Sequence, residues 1–92
     1  MPKIMLRGAL LCMPEEVELV LDALPDHIRK TRAEPGCIAF SVSQSDEDPC
    51  RFDVAEVFAN RAAFEAHQTR TRASDWFAQT GHIKRKYEIS EG

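Results

Sequence analysis

The feature that most constrains the fold of this chain is a hydrophobic period that switches between two residues and about 3.6 residues along its 92 positions. Residues 3–12 alternate in the manner of a strand. After Pro14, which suits the first turn of a helix, apolar residues recur every three or four positions. These residues are Val17, Val20, Leu21, Leu24 and Ile28. The pattern predicts an amphipathic helix that is kinked at Pro25 and ends within residues 34–36.

Two further strands follow, joined by a polar turn. Residues 37–44 place Ile38, Phe40 and Val42 on one face, and residues 51–58 alternate in the same way. The two faces of the later strand carry Phe52, Val54, Glu56 and Phe58, and Arg51, Asp53, Ala55 and Val57. Because the connection between the strands is short and polar, we expect an antiparallel hairpin.

A second helical region and a last strand complete the pattern. Asn60 suits the N-cap of a helix that runs through His67, and Ser74 or Asp75 suits the N-cap of a short helical segment after it. Residues 83–89 alternate as a strand.

The order strand, helix, strand, strand, helix, strand is the split βαβ arrangement of ferredoxin-like folds. We therefore predict a single α+β domain over residues 1–92, with one four-stranded antiparallel sheet and both helices on one side of it. A chain of this length has room for one hydrophobic core.

Helices on one side leave the other side of the sheet open. The first and third strands are apolar on both faces, so a solitary chain would expose a patch of Met, Ala, Leu and Val side chains. We expect a homodimer that packs sheet against sheet, because burial of apolar surface stabilises by roughly 25 cal/mol per Å². Space between the helices and the sheet would then form an apolar pocket in each subunit.

The charge balance argues against nucleic acid and membranes as partners. Twelve Lys and Arg against fifteen Asp and Glu give a net charge of −3, which supplies no attraction to polyphosphates or anionic bilayers. The longest uncharged apolar run, residues 8–13, is far too short to span a bilayer. Arg7 and the acidic residues 15–16 also distinguish the start of the chain from a secretion signal. We expect a soluble protein.

The cysteines and glycines predict no metal site and no cofactor. Cys12, Cys37 and Cys50 are odd in number and widely spaced, which fits neither a disulfide framework nor a zinc site and favours a reducing cytoplasm. The three histidines lack the spacing of metal ligands. The four glycines are scattered singly and form no phosphate-binding loop, so we expect no nucleotide or flavin.

Three segments in succession resemble the antibiotic biosynthesis monooxygenase family. They are Thr31-Arg-Ala-Glu-Pro-Gly-Cys37, the strand with Arg51-Phe52 and Glu56-Val-Phe58, and Ala62-Ala-Phe-Glu-Ala-His67. Their order and spacing are fairly specific for the family, and the similarity covers about residues 3–89. The resemblance implies a dimeric α+β barrel. It also places the chain near small cofactor-independent monooxygenases that act on quinols or aromatic polyketides.

The same family includes haem-degrading enzymes and proteins that process a phosphorylated autoinducer sugar. The haem-degrading branch relies on an Asn in the first strand, where this chain has Arg7-Gly8, and this difference argues against haem. Many relatives of the quinol and autoinducer types carry a second His just before a Phe in the later helical region. This chain has Asp75-Trp76-Phe77 there.

His67 is the candidate catalytic residue. It shares the apolar side of its helix with Phe64, and a neutral imidazole can accept a proton from a phenolic hydroxyl. The alternative is a half-buried His bonded to a carbonyl. Trp76 and Phe77 are candidate substrate-binding residues that would stack on a planar ring, with core packing as the alternative. Tyr87 is interpreted as sheet packing rather than as an acid.

Glu56 and His27 are the remaining candidate substrate-binding residues. Glu56 shares a strand face with apolar residues, where a carboxylate needs a partner. A salt bridge to Arg7, Arg51 or Arg85, within the sheet or across the dimer, is the favoured alternative to a functional role. His27 is close enough to the buried stripe of its helix to approach a pocket mouth. Solvation on the helix surface is the favoured alternative for His27.

The leading hypothesis is a monooxygenase in which His67, or a nearby water, deprotonates a small hydroxyaromatic or quinol that then passes an electron to dioxygen. A second hypothesis is an isomerase or degradation enzyme for a small phosphorylated ketose, with Arg32 and His27 as anion contacts. A third is a non-enzymatic small-ligand-binding module.

Overall fold

A computed structural model describes residues 2–92, and its elements follow the predicted order. The strands are β1 (Ile4–Leu11), β2 (Cys37–Gln44), β3 (Arg51–Phe58) and β4 (Lys84–Glu91). The helices are α1 (Val17–Arg32), α2 (Arg61–Arg72) and α3 (Asp75–Thr80), and a 3₁₀ turn, Pro14–Glu16, leads into α1. Within residues 2–92, none of these helices has the length and apolar character needed to cross a bilayer.

The four strands form one antiparallel sheet in the order β2-β3-β1-β4. The first and third strands of the chain are therefore central, as their apolar character requires. In this register Leu6 of β1 lies between Glu56 of β3 and Ile89 of β4. The predicted α+β, ferredoxin-like architecture with a four-stranded antiparallel sheet is confirmed.

The helices cover the face of β3 that carries Phe52, Val54, Glu56 and Phe58. One cluster of the core packs α1 and α3 on the sheet, and its buried members are Leu10, Cys12, Val20, Leu24, Phe52, Trp76 and Ile83. A second cluster packs α2 on the sheet, and its buried members are Ile4, Leu6, Val54, Phe58 and Phe64. Glu56 is thus a carboxyl group on the core face of a central strand.

A bulge in β2 changes which side chains face inward. The pairing with β3 shifts between Cys37 and Ala39, so that Cys37 lies opposite Phe58. Because an extra residue interrupts the alternation, Ile38 is 51% exposed, and the expectation that it shares the inner face with Phe40 is wrong.

The first helix continues without interruption through Pro25. Proline cannot donate a backbone hydrogen bond to the carbonyl of Leu21. The N-caps of the later helices agree with prediction: Asn60 Oδ1 accepts a hydrogen bond from the amide of Ala63 at 2.9 Å, and Ser74, rather than Asp75, caps α3.

The sheet face that points away from the helices is less apolar than the sequence pattern predicts. Ala9 is 3% exposed, and Met5 and Val57 are partly buried, but Arg7 and Arg51 on the same face are exposed. The apolar part of this face is therefore a stripe bordered by charge. The homodimer through this face stays a prediction.

Candidate functional site

His67 is held in one orientation by aromatic packing. It lies one turn beyond Phe64 on the inner side of α2 and is 2% exposed. Its ring centroid lies 4.8 Å from that of Phe58 and 5.9 Å from that of Phe40. Because rings on both neighbouring strands contact the imidazole, its two nitrogens point in fixed directions.

A carboxylate binds one of these nitrogens. Nδ1 of His67 lies 2.7 Å from Oε1 of Glu34, and Oε2 of Glu34 accepts a hydrogen bond from Nε of Arg70 at 2.7 Å. Arg70 also donates to Oγ1 of the buried Thr31 at 3.0 Å. A carboxylate accepts hydrogen bonds, so neutral His67 carries its proton on Nδ1 and leaves the lone pair of Nε2 free.

The backbone after α1 brings Glu34 to this position. Gly36 adopts a φ of +86°, a conformation that side chains disfavour. A Cβ atom at Gly36 would also lie 2.6 Å from the Cβ of Ala63. The close approach of this turn to α2 therefore depends on glycine, and it places Glu34 beside His67.

The other nitrogen of His67 faces a hydroxyl and a second carboxyl group. Nε2 lies 3.4 Å from Oγ1 of Thr71 and 3.8 Å from Oε1 of Glu56. Burial, and then the charge of Glu34, raises the pKa of Glu56 to about 7. Burial lowers the pKa of His67, and its contact with Glu34 opposes that effect. At neutral pH this pair can therefore exchange a proton with a bound hydroxyl group.

Glu56 forms no salt bridge with the arginines considered from the sequence. Arg7 and Arg51 lie on the opposite face of the sheet, because side chains alternate along a strand. Arg85 instead donates to the carbonyls of Thr80 and Ile83 at 2.7 and 3.0 Å. The expected salt bridge within the chain is therefore wrong for residues 2–92, and Oε1 of Glu56 is buried there without a hydrogen-bond partner.

His27 is a buried residue that stacks on Trp76. The two rings are 4.7 Å apart and 4° from parallel, and His27 is 6% exposed. The interpretation of His27 as a solvated helix-surface residue is therefore wrong, because the helix turns this side chain toward the sheet. Burial lowers the pKa of His27 to about 3, so its ring is neutral at physiological pH.

A cavity of about 230 Å³ lies between α2 and α3 on one side and β1 and β4 on the other. The structure brings all five predicted site residues to its walls: His27, Glu56, His67, Trp76 and Phe77. The rest of the lining is Leu6, Gln68, Thr71, Arg72, Arg85 and Tyr87. Aromatic rings and a buried acid-base pair thus line one cavity, as in sites that bind small planar molecules.

Sequence reasoning missed several residues of this site. Tyr87, interpreted as sheet packing, lines the cavity, and Thr71 lies within reach of Nε2 of His67. Glu34 lies in the turn that is predicted to end α1, and the sequence pattern indicates no role for it in the site. The glycine that follows it at position 36 was the available signal, because glycine after a helix often permits a sharp turn.

The residues proposed for other ligands are engaged elsewhere. Both Nε and Nη2 of Arg32 donate to the carbonyl of Phe40, at 3.1 and 2.9 Å, and Arg32 does not line the cavity.

Residues 2–92 contain no group of three or more His, Cys, Asp or Glu side chains placed to hold a metal ion. The three cysteines are free thiols.

Comparison with known proteins identifies the family of this chain. The sequence profile of the antibiotic biosynthesis monooxygenases matches residues 6–79. An uncharacterized protein of Synechocystis is 31% identical over 95 aligned positions, which cover 96% of this chain. This chain spans only 64% of the length of that relative.

Solved structures share the fold. A candidate antibiotic biosynthesis monooxygenase from Nitrosomonas europaea superposes with a TM-score of 0.86 at 22% identity, over 98% of this chain and 89% of that one. A protein from Shewanella oneidensis superposes with a TM-score of 0.79 at 26% identity, over 99% and 91%. A protein from Deinococcus radiodurans superposes with a TM-score of 0.80 at 24% identity, over 97% of this chain and 91% of that one. The profile match over most of the chain shows that it belongs to the antibiotic biosynthesis monooxygenase family.

Proposed function

We propose that this protein is a cofactor-independent monooxygenase that oxidises a small hydroxyaromatic compound or quinol with dioxygen. The observation that carries the proposal is the orientation of His67: Glu34 binds Nδ1, and Nε2 faces Glu56 in an aromatic-walled cavity. This arrangement supports the removal of a proton from a bound hydroxyl. Membership of the monooxygenase family supports the choice of dioxygen as oxidant.

In this proposal the substrate ring packs against Trp76 and Phe77, and its hydroxyl points to Nε2 of His67. The proton moves to Nε2, and the imidazolium that forms lies between the carboxyl groups of Glu34 and Glu56. The negative charge of Glu34 stabilises this cation. His67 and Glu56 are 2% and 7% exposed, and this burial strengthens these interactions.

The oxidation needs no external reductant, because the substrate supplies the electrons. The phenolate gives one electron to dioxygen, and the resulting superoxide and aryloxyl radical combine at a ring carbon. The peroxide anion formed there takes the proton back from Nε2 of His67. The resulting hydroperoxide loses its outer oxygen, together with the hydrogen of the ring carbon, as water and leaves a carbonyl group. One oxygen atom of dioxygen enters the product and the other leaves as water, so a hydroxyarene becomes a quinone.

The phosphorylated-ketose alternative loses its anion contacts. Arg32 binds the carbonyl of Phe40, and His27 is uncharged at neutral pH. The walls of the cavity instead carry three aromatic rings, Trp76, Phe77 and Tyr87, which favour a planar substrate.

Dioxygen consumption with a menadiol-like quinol tests the proposal. The uncatalysed oxidation is measured in parallel and subtracted. We expect an enzyme-dependent excess that falls by about 10²–10⁴-fold in His67→Ala. His82→Ala is the matched control, because His82 is exposed and bonds Glu16 outside the cavity. No excess over the uncatalysed rate, or equal rates in the wild type and His67→Ala, would reject the proposal. Saturable binding without turnover would identify a ligand-binding module.

We also propose that the working form is a homodimer joined through the partly buried Met5 and Val57 on the open sheet face. Sedimentation at micromolar concentration tests this, with Val57→Arg as the variant designed to separate the subunits. A folded monomeric wild type would reject the dimer.

A further inference from the structure

Two polar atoms in the core have no hydrogen-bond partner among residues 2–92, namely Nδ1 of His27 and Oε1 of Glu56. The two side chains are 6% and 7% exposed. More than nine in ten buried polar groups in proteins are hydrogen-bonded, and leaving one unpaired is costly. Two such atoms in one small region call for a shared partner.

Both residues line a second, much smaller cavity, which shares four lining residues with the main one. Its volume is about 20 Å³, and one water molecule needs roughly 10–15 Å³ on this measure. Tyr87 is a third polar residue on its wall, and the rest of the wall is Leu10, Phe40, Val42, Val54 and Trp76. The space therefore suits one water molecule and is too small for a substrate.

We propose that this small cavity is a binding site for one internal water that bridges Nδ1 of His27 and Oε1 of Glu56, which makes His27 a positioning residue for Glu56. The water site itself does not depend on the proposed function. The positioning role rests on it, because it assumes that Glu56 takes part in proton transfer.

The bridge can pair both atoms at physiological pH. Neutral His27 donates from Nδ1 to the water, and the water donates a hydrogen to the carboxylate of Glu56. When Glu56 is protonated, it donates to the water, which then donates to an unprotonated Nδ1. Hydrogen bonds to a charged group are about twice as strong as neutral ones, so the water favours ionised Glu56.

The protonation of Glu56 also depends on the other groups that face it. Those groups are His27 of α1, Glu34 beyond α1, Cys37 of β2, His67 of α2, and Arg85 and Tyr87 of β4. A test of the bridge must therefore change His27 and leave the other five unchanged.

High-resolution crystal structures at neutral pH test the water site. In the wild type we expect one density peak within about 3.2 Å of both Nδ1 of His27 and Oε1 of Glu56. His27→Asn, whose amide lies near the position of Nδ1, should keep this peak. His27→Phe keeps a ring against Trp76, has no polar atom and should lose the peak. An empty cavity, xenon bound there under pressure, or a direct bond between His27 and Glu56 would overturn the proposal.

Titration of the Glu56 carboxyl carbon by NMR tests the positioning role. The pKa of Glu56 should rise by roughly one pH unit in His27→Phe and stay near the wild-type value in His27→Asn. An equal pKa in all three folded proteins would overturn the role of His27. If His27→Phe fails to fold, His27→Leu, which also has no polar atom at the position of Nδ1, takes its place in both the density and the titration experiments. None of these measurements uses turnover, so they stand apart from any failure of the monooxygenase assay.

Discussion

Nδ1 of His67 lies 2.7 Å from Oε1 of Glu34, although 33 positions separate the two residues in the chain. The same carboxylate is held from its other oxygen by Arg70. Glu34 therefore fixes both the rotation of the imidazole and the nitrogen that carries its proton. In the proposed reaction this carboxylate also stabilises the imidazolium after proton transfer.

Glu34→Gln should lower turnover by roughly 100-fold while the protein stays folded. The amide cannot stabilise the imidazolium, and it can donate to Nδ1 and so favour the wrong tautomer. Quinol-dependent dioxygen uptake measures the rate, and ¹⁵N NMR of His67 reports the tautomer. Glu65→Gln is the matched control, because Glu65 lies on the exposed side of α2. Equal rates in Glu34→Gln and Glu65→Gln would show that Glu34 does not act on His67.

Glu56→Gln should stabilise the protein at alkaline pH. The folded state raises the pKa of Glu56 from its ordinary 4.5 to about 7. Between these values the folded protein keeps a proton that the unfolded chain has released, so stability falls as pH rises through this range. Gln removes that cost. Glu56→Gln should therefore raise the free energy of unfolding by up to about 3 kcal/mol at pH 8, and the difference from the wild type should shrink toward pH 4.5.

Urea unfolding at pH 5, 6.5 and 8 measures this change, with Glu47→Gln in the exposed β2–β3 turn as control. An advantage of Glu56→Gln that does not vary with pH would mean that the carboxyl group titrates normally in the folded protein.

The local parts of the fold could be predicted from the sequence, because their signals lie within a few residues. The strands at residues 37–44 and 51–58 and the cap at Asn60 follow from alternation and capping chemistry. The bulge that exposes Ile38 could not be predicted, because one extra residue leaves an alternating pattern that still looks regular.

Sequence reasoning predicted five of the residues that line the cavity, but neither Tyr87 and Thr71 nor the contacts of His67. His67, Glu56 and Trp76 meet at one cavity because all three are buried on the core side of their elements. The hydrophobic pattern of the sequence indicates which side of each element is buried. The bond between Glu34 and His67 depends on how the turn after α1 docks on α2, which no local pattern records. Among residues 2–92 no arginine pairs with Glu56, and this too is a property of the sheet register.

Gly36→Ala should destabilise the protein by roughly 2–3 kcal/mol. The substitution strains a residue at φ +86° and forces its Cβ to within 2.6 Å of that of Ala63. Thermal or urea unfolding measures the loss. Adding Ala63→Gly to Gly36→Ala removes the clash but not the backbone strain. The double variant should therefore recover part of the stability that Gly36→Ala loses. Wild-type stability in Gly36→Ala would mean that the turn does not need glycine.

His27 should make the protein sensitive to acid. Burial lowers the pKa of His27 from 6.5 to about 3. Below pH 6.5 the unfolded chain therefore binds a proton at His27 that the folded protein does not bind, and the free energy of unfolding falls as the pH falls. His27→Gln cannot gain that proton, and its stability should decline less between pH 6.5 and 5, by on the order of 1 kcal/mol. The slope of the free energy of unfolding against pH, compared between His27→Gln and the wild type, isolates this effect. The lost stacking on Trp76 lowers stability at every pH and leaves the slope unchanged. His82→Gln is the control at an exposed histidine, and an acid slope in His27→Gln as steep as in the wild type would place the sensitivity in another group.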